Sequence, residues 1–144
     1  MRIKKRNWAT IVVVIVGIFA VLATLAWWHL FRRVPVEFSS DEDHFKYGSI
    51  GIEDNVGMPY WLWLVMPRMF PEKLPGPAGY PSLGIVWEEG QEMPVGFTKV
   101  TIGMPRVGAN CAACHTTSVR KTAEDKPMLI LGGPSHQFDI QAYQ

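Results

Sequence analysis

Acidic side chains are missing from the first 36 residues, although 13 follow, and six of the 14 basic residues lie before position 34. The rest of the chain therefore carries eight basic against 13 acidic side chains, a balance of −5, with no basic stripe. That argues against a nucleic-acid partner and fits a mildly acidic soluble domain. Cysteine is nearly absent too: only Cys111 and Cys114 occur. With both committed to one motif, no disulfide framework remains and a four-cysteine zinc site is excluded. Long helix-forming runs are also scarce in the middle. Nine prolines fall between Val34 and Asn110, and "MFPEKLPGPAGYPSLG" cannot hold a long helix, so short elements joined by ordered turns are expected there.

Charge is absent altogether from Trp8 to Phe31, in "WATIVVVIVGIFAVLATLAWWHLF", a run long enough to span a bilayer as a helix. Trp8, Trp27 and Trp28 mark the two headgroup levels, and His29 reads as a residue of that level with no further role. Arg2, Lys4, Lys5 and Arg6 precede the span, whereas Arg32 and Arg33 soon give way to "SSDED". The basic excess predicts a cytoplasmic N-terminus and an exported remainder. Small residues at Thr24 to Ala26 resemble a signal-peptidase site, but the apolar run is long and bulky tryptophans follow it, which favours an uncleaved anchor.

What the exported part does have is "NCAACHTT". Cys111, Cys114 and His115 fall within one turn if the segment is helical, all on one face. Two thiols at that spacing can add to the two vinyl groups of a porphyrin while the adjacent imidazole ligates its iron. Ala112 and Ala113 between them are expected to let the macrocycle approach the backbone. A zinc site would have to recruit His136 or His44 from a distance, with Cys114 and His115 adjacent in the chain. A thioredoxin-type dithiol would need a preceding strand and a following helix, and "TIGMPRVGAN" reads as no clear strand. Covalent haem c, with iron, is the favoured cofactor. In a bacterium the exported side is also where such haem is attached.

Other elements are read more coarsely. "PYWLWLVMPRMF" predicts one helix of about three turns starting at Pro59 and kinked or ended near Pro67, chiefly core, with Trp61, Trp63, Met66 or Met69 facing haem or membrane as the sharper alternative. Gly84 to Trp87 and Phe97 to Ile102 are expected to form a small hairpin about "EEGQEMPVG", whose Glu88, Glu89 and Glu92 read as a solvated turn. Pro127 to Leu131 predicts a strand, Gly132 and Gly133 a turn, and Ser135 the cap of a final helix. That late start suggests a longer cytochrome or a fold completed by a partner chain. For the sixth iron position, His136 is placed ahead of Met128, with Met93 and Met104 lying upstream.

The order "FKYGSIG", "PYWLWL", "LPGPAGY", "WEEG", "MPVGF" and then the haem motif resembles the N-terminal region of exported multihaem c-type cytochromes similar to rubber oxygenase and, more distantly, dihaem cytochrome c peroxidase, over roughly residues 45 to 143. The resemblance implies Cys111 and Cys114 as thioether anchors and His115 as proximal ligand. In that family a second C-x-x-C-H follows, and this chain has none. The expected fold is mainly α with irregular Pro/Gly-rich segments: a basic tip and transmembrane anchor over 1–33, and a partial cytochrome c-like haem domain over 34–144. The expected function is a single-pass, inner-membrane cytochrome, held in lipid through residues 8–31, with a periplasmic haem that transfers electrons to an unidentified redox protein. The alternative is the first haem domain of an oxygenase or peroxidase-like enzyme.

Overall fold

The computed structural model describes residues 5–143. Arg2 and Lys4 of the basic tip lie outside them.

Helix α1 (Lys5–Phe31) contains Asn7–Phe31, 25 strongly apolar residues without an Asp, Glu, Lys or Arg, exposed along their length. At about 1.5 Å per residue this segment is about 37 Å long, enough for a hydrocarbon core of about 30 Å. It passes into the folded part without a linker. Arg32 N–H donates to Trp28 O (3.0 Å), and Arg33–Val34 already forms strand β1.

Beyond α1 the chain is mixed rather than mainly helical. The helices are short: α2 (Asp41–Tyr47), α3 (Glu53–Val56), α4 (Tyr60–Met69) and α5 (Ile140–Tyr143). The frame is an antiparallel sheet in the order β1-β3-β4-β2, built from β2 (Met58–Pro59), β3 (Phe97–Ile102) and β4 (Met104–Ala109). A separate two-stranded ribbon pairs β5 (Thr116–Val119) with β6 (Met128–Leu131). The cause lies in the residues. "FTKVTI" is rich in β-branched and aromatic side chains, and Gly103 at φ +69° turns the chain back upon it.

That hairpin corrects the expected one. β3 pairs with "MPRVGA", from Phe97↔Ala109 to Ile102↔Met104, and Gly84 to Trp87 is not a strand. Pro105 is tolerated in β4 because β2 reaches only Arg106 and Val107.

Helix α4 starts after Pro59 and runs through Pro67 to Met69. Pro67 has no N–H for the carbonyl of Trp63, four residues earlier. The Tyr80 hydroxyl takes that role, donating to Trp63 O at 2.6 Å in a buried setting. Trp63, 1% exposed, is a core residue, stacked on Tyr80 at 4.3 Å between ring centroids and tilted against Phe97 at 5.9 Å. Its indole N–H donates to the Tyr143 hydroxyl (3.1 Å), which ties α5 to the core. Leu83, Ile85, Met93 and Val107 complete this cluster.

Candidate functional site

The β3–β4 hairpin delivers the cysteine motif. β4 ends at Ala109, and Asn110 follows as a buried pivot. Its side-chain oxygen accepts from Ala112 N–H (2.8 Å), and its amide donates to Gly48 O (2.8 Å) and Lys46 O (3.3 Å). Its backbone N–H donates to Gly96 O at 2.8 Å. Sequence reasoning passed over Asn110, although asparagine is a preferred cap before a turn.

Cys111–Ala113 forms a single 3-10 turn, closed by Cys114 N–H to Cys111 O (3.2 Å) and His115 N–H to the same oxygen (2.9 Å). The motif is therefore one turn leading into strand β5, not part of a longer helix. Cys111, Cys114 and His115 all face outward, both thiols are free, and the His115 ring makes no hydrogen bond among the described residues.

The two alanines point the other way. Ala112 is 1% exposed, and Ala113 packs so tightly on Gly96 that a Cβ there would lie 2.2 Å from Ala113 Cα. Their small size serves the core rather than a macrocycle. Gly96, at φ +87°, meets both demands of that contact.

Gly132 N–H donates to His115 O (2.8 Å), extending the β5–β6 ladder by one residue. His115 thus stands in the row of Thr117 and Val119, opposite Ile130 and Met128. Val119, Met128 and Ile130 are exposed, so an uncovered, largely apolar ribbon face begins at His115. The candidates for the sixth position separate. Met128 pairs with Val119 at the far end of the ribbon. His136 is held close to the motif, because Ser135 N–H donates to Cys114 O (2.8 Å) and Gln137 exchanges hydrogen bonds with Ser118.

A strand does precede the cysteines, contrary to the reading of "TIGMPRVGAN". A strand and not a helix follows them, so no helix N-terminus is there to favour a thiolate. Among the described residues no three His, Cys, Asp or Glu side chains converge as metal ligands, and His44 stacks instead on Phe38 (5.3 Å).

Two further expectations are corrected. Ser135 does not cap the last helix; Asp139 accepts from Ala142 N–H at 2.9 Å at its start. Two of the three glutamates are anchors rather than parts of a solvated turn, whereas Glu89 is exposed as expected. Glu88 receives the Lys46 ammonium (3.0 Å) and the Tyr47 hydroxyl, and Glu92 receives the Tyr60 hydroxyl (2.9 Å) and the Lys99 ammonium. The Lys99 ammonium, and then the Tyr60 hydroxyl, lower the Glu92 pKa against the opposing effect of burial.

A concavity of about 450 Å³ lies between Met66, Phe70, Leu74, Tyr80 and Tyr143, away from the motif. No family model, curated protein or solved structure matches the chain.

Proposed function

We propose that the chain is a membrane-anchored c-type cytochrome whose exported domain carries one covalent haem and transfers electrons. The observation that carries this reading is the turn Cys111–His115: two free thiols three residues apart and an unengaged imidazole, all presented outward together. The residues fit the group. Cys111 and Cys114 would hold it by thioether bonds, His115 would ligate the iron, and the exposed apolar side chains of Ile130, Val119 and Met128 extend from His115 along the same ribbon face. Haem supplies a reversible Fe(II)/Fe(III) couple when bound. The protein's own part is to hold the turn rigid, through Asn110 and Gly96, and to present an apolar ribbon face next to His115.

The second reading, a first haem domain of an oxygenase or peroxidase-like enzyme similar to the multihaem cytochromes above, is favoured by the openness of the turn on its outer side. The two readings differ at the sixth iron position. An absorption spectrum of the dithionite-reduced protein, matured with c-type machinery, decides between them. A covalent haem indifferent to CO, with His136→Ala making it CO-sensitive, is the carrier. A Soret band that shifts sharply with CO in the unaltered protein supports the enzyme. Recovery of both thiols free, with no haem, overturns both.

The anchor supports an inner-membrane location with a cytoplasmic N-terminus and a periplasmic haem domain, on the basic excess of the first six residues.

A further inference from the structure

We propose that the folded domain makes a second, direct contact with the bilayer its anchor crosses, through the first turn of α4 and the tip of the β3–β4 hairpin. The inference rests on the anchored reading above and adds an orientation to it. The hairpin tip abuts the last turn of α1. Gly103 N–H donates to Arg32 O (3.2 Å), and a Cβ on Gly103 would lie 1.9 Å from Leu30 O. β1 pairs Arg33 with Ile102, so the sheet is fastened to the anchor at its exit with no intervening loop.

The strand register then decides which apolar residues share that end. β2 runs antiparallel to β4 and sets Pro59 opposite Arg106, two residues from Met104. The chain enters α4 directly after Pro59, so Trp61 and Leu62 follow within three residues of the position opposite Arg106, which is itself three residues from Gly103. Trp61 is 69% exposed and Met104 51% exposed, although α4 buries Trp63 two residues on. An uncovered tryptophan in a domain fastened directly to an apolar helix matches the preference of indole for the headgroup level. Arg32, exposed and lying 5.7 Å over the Trp28 ring, adds a cation at that level, whereas Arg33 is paired with Asp54 at 3.0 Å. The occupant is the bilayer surface because it is continuous with the lipid already around α1.

The consequence is a fixed stand-off. β4 rises from Met104 to Ala109, five residue steps or about 17 Å along the strand. The cysteine turn therefore sits at the end of the sheet away from the lipid, accessible to a soluble partner.

The test uses the full chain reconstituted in phosphatidylcholine/phosphatidylglycerol vesicles, with an environment-sensitive naphthyl amino acid placed singly at Val16, Trp61, Met104 or Ala123. Lipids brominated near the headgroup end of the acyl chain act as quenchers. The expected result is strong quenching at Trp61 and Met104, at least threefold above that at Ala123 in the loop between β5 and β6. Val16 reports the anchor alone. Quenching at Val16 with Trp61 and Met104 no different from Ala123 overturns the second contact and leaves the anchor standing. No quenching at Val16 overturns the anchored reading and this inference with it. Blue-shifted emission at Trp61 that depends on protein concentration and ignores brominated lipid assigns the face to a second copy, which also overturns it.

Discussion

At the residue scale the motif is held by side chains that carry no redox chemistry. Asn110→Ala leaves Ala112 N–H and the Gly48 carbonyl without their partner in a buried place, and takes from the Lys46 carbonyl one of its two donors, the other being Gly96 N–H. The expected cost is about 1–3 kcal/mol in denaturant titration, with less covalent haem recovered per protein. Tyr80 and Pro67 form a testable pair. Tyr80→Phe strips the hydroxyl that serves the Trp63 carbonyl and should cost about 1–3 kcal/mol, while Pro67→Ala/Tyr80→Phe should recover part of it, because the new backbone N–H at position 67 reaches that oxygen. Additive losses in the double variant would show that the carbonyl is not what couples them. Alkali acts on the same buried groups. Burial first, and Glu88 in addition, raises Tyr47 above the ordinary tyrosine range, and burial raises Tyr80 and Tyr143. For Lys46 burial works downward, but Glu42 and Glu88 outweigh it and the pKa is raised. A raised folded pKa gives stability that is complete below the unfolded value and is lost as pH rises toward the folded one. The urea midpoint should therefore hold steady between pH 7 and 9 and decline above about pH 10. Tyr47→Phe should make that decline shallower.

At the scale of elements, what could be read in the sequence depended on whether a segment's own residues decide its structure. The apolar run of α1, the Pro59-to-Phe70 helix and the strand "MLIL" declare themselves by length and pattern, and the structure has α1, α4 and β6 there. β4 was missed because Gly and Pro in "MPRVGA" argue locally against a strand, and only pairing with β3 and β2 overrides them. The same non-local pairing makes "NCAACH" a single turn between strands. The inward face of Ala112 and Ala113 could not be foreseen either, since it depends on Gly96, fifteen or more residues away. The β5–β6 ribbon carries its own prediction. Ile130 is exposed, so Ile130→Ser should change thermal stability by no more than about 0.5 kcal/mol. If the ribbon face shelters the haem, the same substitution admits water to it and lowers the reduction potential in a redox titration, whereas a serine at the remote, exposed Val36 leaves the potential unchanged.

Across the whole molecule, the proposed cytochrome reading couples location and cofactor attachment through charge placed far from the motif. On that proposal covalent attachment belongs to the exported compartment, and export of residues beyond Arg33 would rest on four basic residues before the span against two just after it. Replacing Arg2, Lys4, Lys5 and Arg6 by glutamine removes that bias and leaves Arg32 and Arg33 as the dominant flank. Inverted chains should then accumulate with Cys111 and Cys114 in the cytoplasm. A phosphatase reporter fused after Gln144, active only when exported, should lose most of its activity, and the haem-stained band should fall in proportion while total protein is unchanged. The motif and its supporting turn are untouched by these substitutions, so a parallel loss of reporter activity and haem traces both to topology. Haem retained on chains whose reporter is inactive would break the link between orientation and attachment, and would separate the anchor's role from that of the cysteine turn.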